Sequence, residues 1–343
     1  MRSKKYIWAA IFAALGMLVL ILDSKTAIDG ASQGIELCIC TVIPSLFPFF
    51  ILSIYITGTL TGHPIRMLRP ICTICGVPKG GEALLAVGLL GGYPVGAQSI
   101  CQAYKANQLS KEDAHRLLGF CSNAGPAFIF GVTGSLFTSP VCPWLLWVIH
   151  ILSALVVGTF LPNKRSYTTS NSSTTEMTVP NALKKAVHVT AGVCGWVVLF
   201  RILLAFFRRW FLWMLAQTPQ AIVVGLLELV NGCQSLFAIK EEGLRFILCA
   251  CILAFGGICV GMQTLSVTED IGSGMYFPGK LLQTMVSFLL ACPIQFVLFS
   301  AENKVRGMLP YMLTVLVIFI AVVIYLHNIK KTVAFKRQLV YNR

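Results

Sequence analysis

The sequence predicts an all-α, polytopic helical membrane protein with two pseudo-symmetric halves that carry interrupted helices or re-entrant hairpins, and three observations lead there. The 343 residues are 56% apolar and 12% charged, with a mean hydropathy of +0.78, whereas soluble domains carry about 25% charged residues. Apolar segments follow one another along the chain, several of them near the roughly 20 residues that cross a bilayer as a helix. They lack the two-residue alternation of barrel strands, and only helices and closed barrels satisfy their backbone in lipid. Finally, Gly and Pro in the first half, and Gly in the second, interrupt these segments at corresponding places.

Charge and cysteine usage narrow the function class. The 27 Lys+Arg against 13 Asp+Glu give +14, a balance that in a soluble protein suggests nucleic acid. Here the basic residues flank apolar runs, as the positive-inside bias predicts, so the expected partner is the lipid bilayer and not nucleic acid. No stretch between apolar segments is much longer than about two dozen residues, well short of the ~50 residues of a small domain, which leaves no room for a soluble catalytic or ATP-hydrolysing unit. The 13 cysteines lie mostly in apolar segments and read as small buried residues. Cys72-Thr-Ile-Cys75 has no second pair to complete four metal ligands, and neither a resident metal nor a cofactor is expected.

In chain order, Met1 to Lys5 is basic and Tyr6 to Leu22 is uncharged and apolar. Asp23-Ser24-Lys25-Thr26 is no A-x-A cleavage signal, so the run is expected to stay as an uncleaved helix. Apolar segments follow at 36–60, 83–104, 113–137, 143–161, 184–207, 220–239, 245–267, 281–300 and 308–327. The polar stretch Pro162 to Asn181 has too little apolar surface to pack, and it separates an N-terminal membrane half, 1–161, from a C-terminal half, 182–343, with 162–181 as linker. Asn171-Ser172-Ser173 fits a glycosylation triplet, without a secretory context to support it.

Segment 83–104 contains Gly91-Gly92-Tyr93-Pro94-Val95-Gly96, and segment 113–137 contains Ser122-Asn123-Ala124-Gly125-Pro126. Both should break a helix, and broken backbone at membrane depth is tolerated only where protein buries it or it lines a water-filled cavity. The second half echoes the first: Val87-Gly88-Leu89-Leu90 recurs as Val224-Gly225-Leu226-Leu227, Gly96-Ala97-Gln98-Ser99 as Gly232-Cys233-Gln234-Ser235, and Asn123-Ala124-Gly125-Pro126 more loosely as Ala254-Phe255-Gly256-Gly257. Paired interrupted segments in corresponding halves point to a transporter site. Treating 83–104 and 220–239 as hairpins leaves eight spans and puts Arg66, Arg69, Lys79, Lys105, Lys111, Arg116, Lys164, Arg165, Lys184 and Lys185 inside. Arg208 and Arg209 then fall outside, and ten complete spans is the alternative.

Glu228, in GLLELVNG, stands as the acidic residue deep in an apolar run, where an ionisable group is a functional candidate unless it snorkels to the interface or pairs with Arg201. Asn231 and Gln234 follow on a neighbouring face, and Gln98, Ser99, Asn123 and Gln263 add neutral donors and acceptors. Tyr93 can stack on a planar ring or simply pack; His150 can relay protons or be a structural histidine. Ser110 before Glu112 and Asp113 reads as a helix N-cap. Gly274 to Lys280 opens like a P-loop, but Leu281 stands where the magnesium-binding hydroxyl belongs and no strand precedes it. No catalytic arrangement suggests an enzyme.

With GLLGGYPVGAQS, FCSNAGPAF, GLLELVNG, FGGICVGMQ and the early TVIPSLFPFF, the chain resembles the YlbJ-type sporulation integral membrane proteins. These are grouped with the nucleoside-recognition, or Gate, domain proteins, which are also similar to parts of concentrative nucleoside transporters and ferrous-iron transport proteins. The resemblance covers roughly residues 36 to 300 and implies a multi-pass protein of a bacterial cytoplasmic membrane with a role in spore development. One departure is that the family usually carries a histidine before the glutamine after the second Gly-Gly, whereas here Gly261 and Met262 precede Gln263.

The expected function is a permease for a small polar solute, nucleoside-like by resemblance, with a coupling cation, Na+ or H+, and a homo-oligomeric state. The expected binding residues are Gly91, Gly92, Tyr93, Pro94, Gly96, Gln98, Ser99, Asn123, Gly125, Pro126, Glu228, Asn231, Gly232, Gln234, Gly256, Gly257 and Gln263. The alternative is a non-transporting structural or assembly protein of the sporulation membrane, in which the breaks only shape helix packing.

Overall fold

The computed structural model describes residues 2–162 and 177–299; segment 308–327, the Asn171 triplet and most of the 162–181 linker lie outside the described residues. Everything regular in them is helical. α1 (Arg2–Leu22) is followed by α2 (Ser24–Leu37), which runs through a single π turn at Cys38–Val42 into α3 (Ile43–Leu60). Next come α4 (Arg69–Cys75), α5 (Glu82–Leu90), α6 (Val95–Lys105), α7 (Lys111–Leu118), α8 (Pro126–Thr133) and α9 (Val141–Phe160). The second half has α10 (Val179–Trp210), α11 (Gln217–Leu227), α12 (Leu229–Ser235), α13 (Glu242–Phe255), α14 (Gly257–Val267) and α15 (Tyr276–Phe299).

Among the described residues, five helical stretches are long and apolar enough to cross a membrane: Ser24–Leu60, Val141–Phe160, Val179–Trp210, Glu242–Val267 and Tyr276–Phe299. The protein is therefore a multi-pass helical membrane protein. Segment 113–137 is not one span but α7 and α8 separated by the expected break, and 83–104 and 220–239 are the helix pairs α5–α6 and α11–α12.

The helix expected to begin near residue 36 starts at Ser24, for two reasons. Asp23 caps it, its side chain accepting from the Thr26 amide at 3.4 Å. Gly30 and Gly34 then let α2 lie directly on α10, the small-xxx-small packing of membrane helices. A Cβ on Gly34 would stand 2.9 Å from Val198 Cα, and one on Gly30 3.0 Å from Ile202 Cα. Polar pairs close the same seam: Arg209 meets Asp23 at 3.1 Å and Thr26 Oγ1 at 3.2 Å, and Arg201 donates to Gln33 at 3.1 Å.

Short helices need their ends satisfied, because an orphan carbonyl in a dry interior costs about 1–3 kcal/mol. Arg116 on α7 meets that need. It is 5% exposed, and its guanidinium donates to the carbonyls of Cys75, Gly76 (3.1 Å), Gly158 (2.5 Å) and Leu161 (3.4 Å), the C-terminal ends of α4 and α9. Its charge is thus spent inside the fold and does not belong among the loop charges that orient the chain. Arg245 on α13 does the same for Leu136 and for Ile239 (2.6 and 3.0 Å). Ser110 caps α7 as expected, accepting from the Asp113 amide at 3.1 Å. Glu82, fully buried, pairs with Arg69 at 2.9 Å and accepts from the Gly80 amide at 2.8 Å, a second interior carboxylate beside Glu228.

The α2–α10 seam gives a direct check. Gly34→Leu should lower stability by about 1–3 kcal/mol through overpacking, seen as a lower unfolding midpoint in detergent. Gly192→Leu on α10, where a side chain meets nothing within 4 Å, should leave the midpoint unchanged or raise it.

Candidate functional site

Four chain breaks build the site. Between α5 and α6 the residues Gly91 to Pro94 turn the backbone, with Gly92 at φ 84. Between α7 and α8 the chain is irregular from Gly119 to Gly125. Glu228 alone separates α11 from α12, in extended conformation at φ −147, ψ 128. Gly256, at φ 81, separates α13 from α14, whose first residue Gly257 has φ 80, two successive positive φ angles that only glycine adopts without strain.

These breaks meet. A Cβ on Gly125 would lie 3.1 Å from Gly92 Cα, one on Gly256 3.3 Å from the Tyr93 hydroxyl, and one on Gly257 3.2 Å from the Glu228 amide. Gly96 packs against Gly88 and the Cys121 carbonyl, and Gly232 against Gly225, which closes each helix pair on itself. Most of the predicted glycines therefore let backbone approach backbone.

A cavity opens where the breaks converge, and Tyr93, Gly125, Glu228 and Gln263 line it together with Thr41 and Ser45 from the π turn and the start of α3. Apolar side chains, among them Leu46, Phe128, Val197 and Val260, form the rest of the wall. The cavity measures about 40 Å³, above the ~10–15 Å³ that one water requires and small enough to hold only a few. π turns recur at functional sites, and here the turn delivers Thr41 and Val42 to the wall.

Glu228 is 2% exposed and caps α12. Its Oε1 accepts from the Val230 amide at 3.0 Å, and its Oε2 accepts from the Asn231 amide at 2.7 Å and from Asn231 Nδ2 at 2.6 Å. All three partners are donors, which suits the ionised carboxylate. Among the described residues no Lys, Arg or His pairs with it, and Arg201 donates to Gln33 instead.

Behind Tyr93 lies a polar cluster that sequence reasoning missed. Lys280 of α15 is fully buried, and its ammonium donates to Tyr93 Oη (3.1 Å), Asn123 Oδ1 (3.2 Å) and Gln283 Oε1 (2.7 Å). The same nitrogen lies 5.0 Å from the Tyr93 ring centroid, within cation–π range. Gln283 Nε2 donates to Asn123 Oδ1 (2.9 Å) and the His150 carbonyl (3.2 Å), and Ser287 meets Ser153 at 2.9 Å. His150 Nε2 accepts from the Ala124 amide at 3.0 Å, tying α9 to the second break. The available signal was spacing: Lys280, Gln283 and Ser287 recur at three and four residues, one face of a helix. Gly274 to Lys280 does not form a phosphate loop, since α15 begins at Tyr276 and Lys280 points into the helix bundle.

The other predicted residues fall around this centre. Asn123 donates to the carbonyls of Gly88 (2.9 Å) and Phe120 (2.7 Å) and so holds α5 to the second break. Ser99 donates to Thr57 at 3.3 Å, Gln98 keeps a buried Oε1 without a partner among the described residues, and both lie outside the cavity wall. Pro94 caps α6 and Pro126 opens α8. Asn231 serves the Glu228 carboxylate, and Gln234 is exposed.

Comparison with known proteins finds one informative likeness. The chain is similar to the sporulation integral membrane protein YlbJ of Bacillus subtilis (strain 168), at 33% identity over 145 residues, 40% of this chain and 35% of that protein. The match therefore spans about a third of that relative's length, and it supports the YlbJ-type resemblance carried by the motifs. No family model matches the chain, and no solved structure matches it.

The buried lysine makes a testable contrast. Lys280→Met removes a buried polar head together with its hydrogen bonds and should change stability by less than about 2 kcal/mol. Lys280→Arg forces a larger, permanently charged group into the same closed space and should cost about 3 kcal/mol or more. Unfolding midpoints of the two variants against the parent chain measure the difference.

Proposed function

We propose that this chain is a permease for a small polar solute, seated in the cavity where the four breaks converge, in a bacterial cytoplasmic membrane and linked to sporulation. The observation that carries this reading is the buried Glu228 carboxylate, without an ion-pair partner among the described residues, on the wall of a cavity built from interrupted helices. Irregular backbone at that depth is expensive unless it lines such a space. The order of elements supports two corresponding halves that rock about the site. In each, a long helix is followed, after the extra α4 in the first half, by a broken pair (α5–α6, α11–α12), a second broken pair (α7–α8, α13–α14) and another long helix (α9, α15). Room for a few waters suits a small solute in this conformation, and a nucleoside-like one would need the breaks to separate. The name of the Bacillus subtilis relative supports the link to sporulation and is silent on transport.

The test is a thermal-stability screen of the detergent-purified full chain against nucleosides, nucleobases, amino acids and dicarboxylates, with Glu228→Gln alongside. A ligand at about 100 times its dissociation constant adds roughly 2.7 kcal/mol to the folded state. The expected result is a raised midpoint with one class that vanishes in Glu228→Gln, followed by uptake of that solute into proteoliposomes. Flat midpoints across every class would overturn the permease reading in favour of the assembly role.

A further inference from the structure

Glu228 brings one negative charge to the cavity, and hydrogen bonding does not exhaust it. A carboxylate offers about four lone-pair directions; Oε2 uses two, on the Asn231 amide and side chain, and Oε1 uses one, on the Val230 amide. Gln263 supplies a second oxygen. It is 4% exposed, lines the same cavity, and donates through Nε2 to Cys259 Sγ at 3.5 Å, while among the described residues its Oε1 has no hydrogen-bond partner. The interior ammonium does not fill this role. Lys280 is not on the cavity wall, and its three N–H groups are spent on Tyr93, Asn123 and Gln283.

From this we infer that the cavity binds a small monovalent cation, an alkali-metal ion or ammonium, held by the Glu228 carboxylate and the Gln263 side-chain carbonyl. The inference rests on the same cavity as the permease reading and names the ion that accompanies the solute. The donor set selects the valence. One carboxylate and one amide oxygen suit a singly charged ion, whereas calcium and magnesium favour several anionic oxygens or retained water shells. Among the described residues no three His, Cys, Asp or Glu side chains gather to hold a metal. The room for a few waters admits a cation that keeps part of its hydration, and Phe128 on the wall presents an aromatic group that tolerates a positive charge.

The experiment follows the unfolding midpoint of the purified full chain in lithium, sodium, potassium and ammonium chloride, each titrated against N-methyl-D-glucamine chloride at constant chloride. At least one small cation should raise the midpoint saturably. Gln263→Leu, which leaves the α12 cap intact, should weaken its apparent affinity by about tenfold or more, the equivalent of 1.4 kcal/mol. Glu228→Gln should abolish the effect, and because it also disturbs the cap, the Gln263→Leu result decides if that variant does not fold. Equal midpoints in all five salts, or an undiminished response in Gln263→Leu, would overturn the cation site. Repeating the solute screen with and without the effective cation separates the two readings. A solute shift with no cation effect overturns the ion site and leaves the permease, while a cation effect with no solute shift keeps the ion site and counts against the permease.

Discussion

The structure depends on one constraint, that a helix interrupted inside an apolar bundle must have its exposed amides and carbonyls satisfied by protein. Three of the four breaks here are answered by a specific group. The amides that open α12 are taken by Glu228, the carbonyl of Gly88 near the first break by Asn123, and the Ala124 amide of the second break by His150. Farther out, Arg116 and Arg245 collect the carbonyls at the ends of the short helices. The polar residues of this apolar chain are thus distributed by the positions of its breaks, and the polar centre is a consequence of interrupting helices where they meet.

Packing follows from the same constraint. Breaks can share one centre only if the backbone at each is bare enough to touch its neighbour, which is why Gly125 lies on Gly92 and Gly257 on Glu228. Tyr93 is the side chain common to both sides of that centre. It forms cavity wall, fills the space left by the missing side chain of Gly256, and receives the Lys280 ammonium on its hydroxyl. A change at Lys280 therefore reaches the cavity through Tyr93, and through Asn123 it reaches the backbone of α5 as well.

Legibility in the sequence divides along the line between local and tertiary causes. Gly91-Gly92-Tyr93-Pro94 and Gly125-Pro126 break a helix for reasons carried by those residues alone, so the breaks and the all-helical class could be read directly. Glu228 stood out because a carboxylate in an apolar run is costly anywhere. Its work as an N-cap was less visible, because it rests on Asn231 turning both amide and side chain back to it. The early start of α2 depends on the fit of Gly30 and Gly34 to α10, far away in sequence. Lys280 sat at the edge of an apolar segment, where a lysine ordinarily snorkels to water, and only the bundle around it shows that it turns inward.

Glu228 and Lys280 are handled in one way, unlike Glu82 with its Arg69 partner, and that bears on how such a site works. Neither Glu228 nor Lys280 has an oppositely charged partner among the described residues, and each is held by three hydrogen bonds to neutral groups. An ion pair between them would be the cheaper arrangement by Coulomb's law alone, yet it would consume the carboxylate. Holding each charge with fixed dipoles meets much of the desolvation cost, and the carboxylate's remaining attraction is directed at the cavity. The dipoles belong to the breaks themselves: the α12 amides for Glu228, and Asn123 with the Tyr93 hydroxyl for Lys280. Moving one helix segment against another would loosen those bonds and change the cost of keeping each charge buried. Occupancy of the cavity and the positions of the segments are thereby tied to the same few hydrogen bonds.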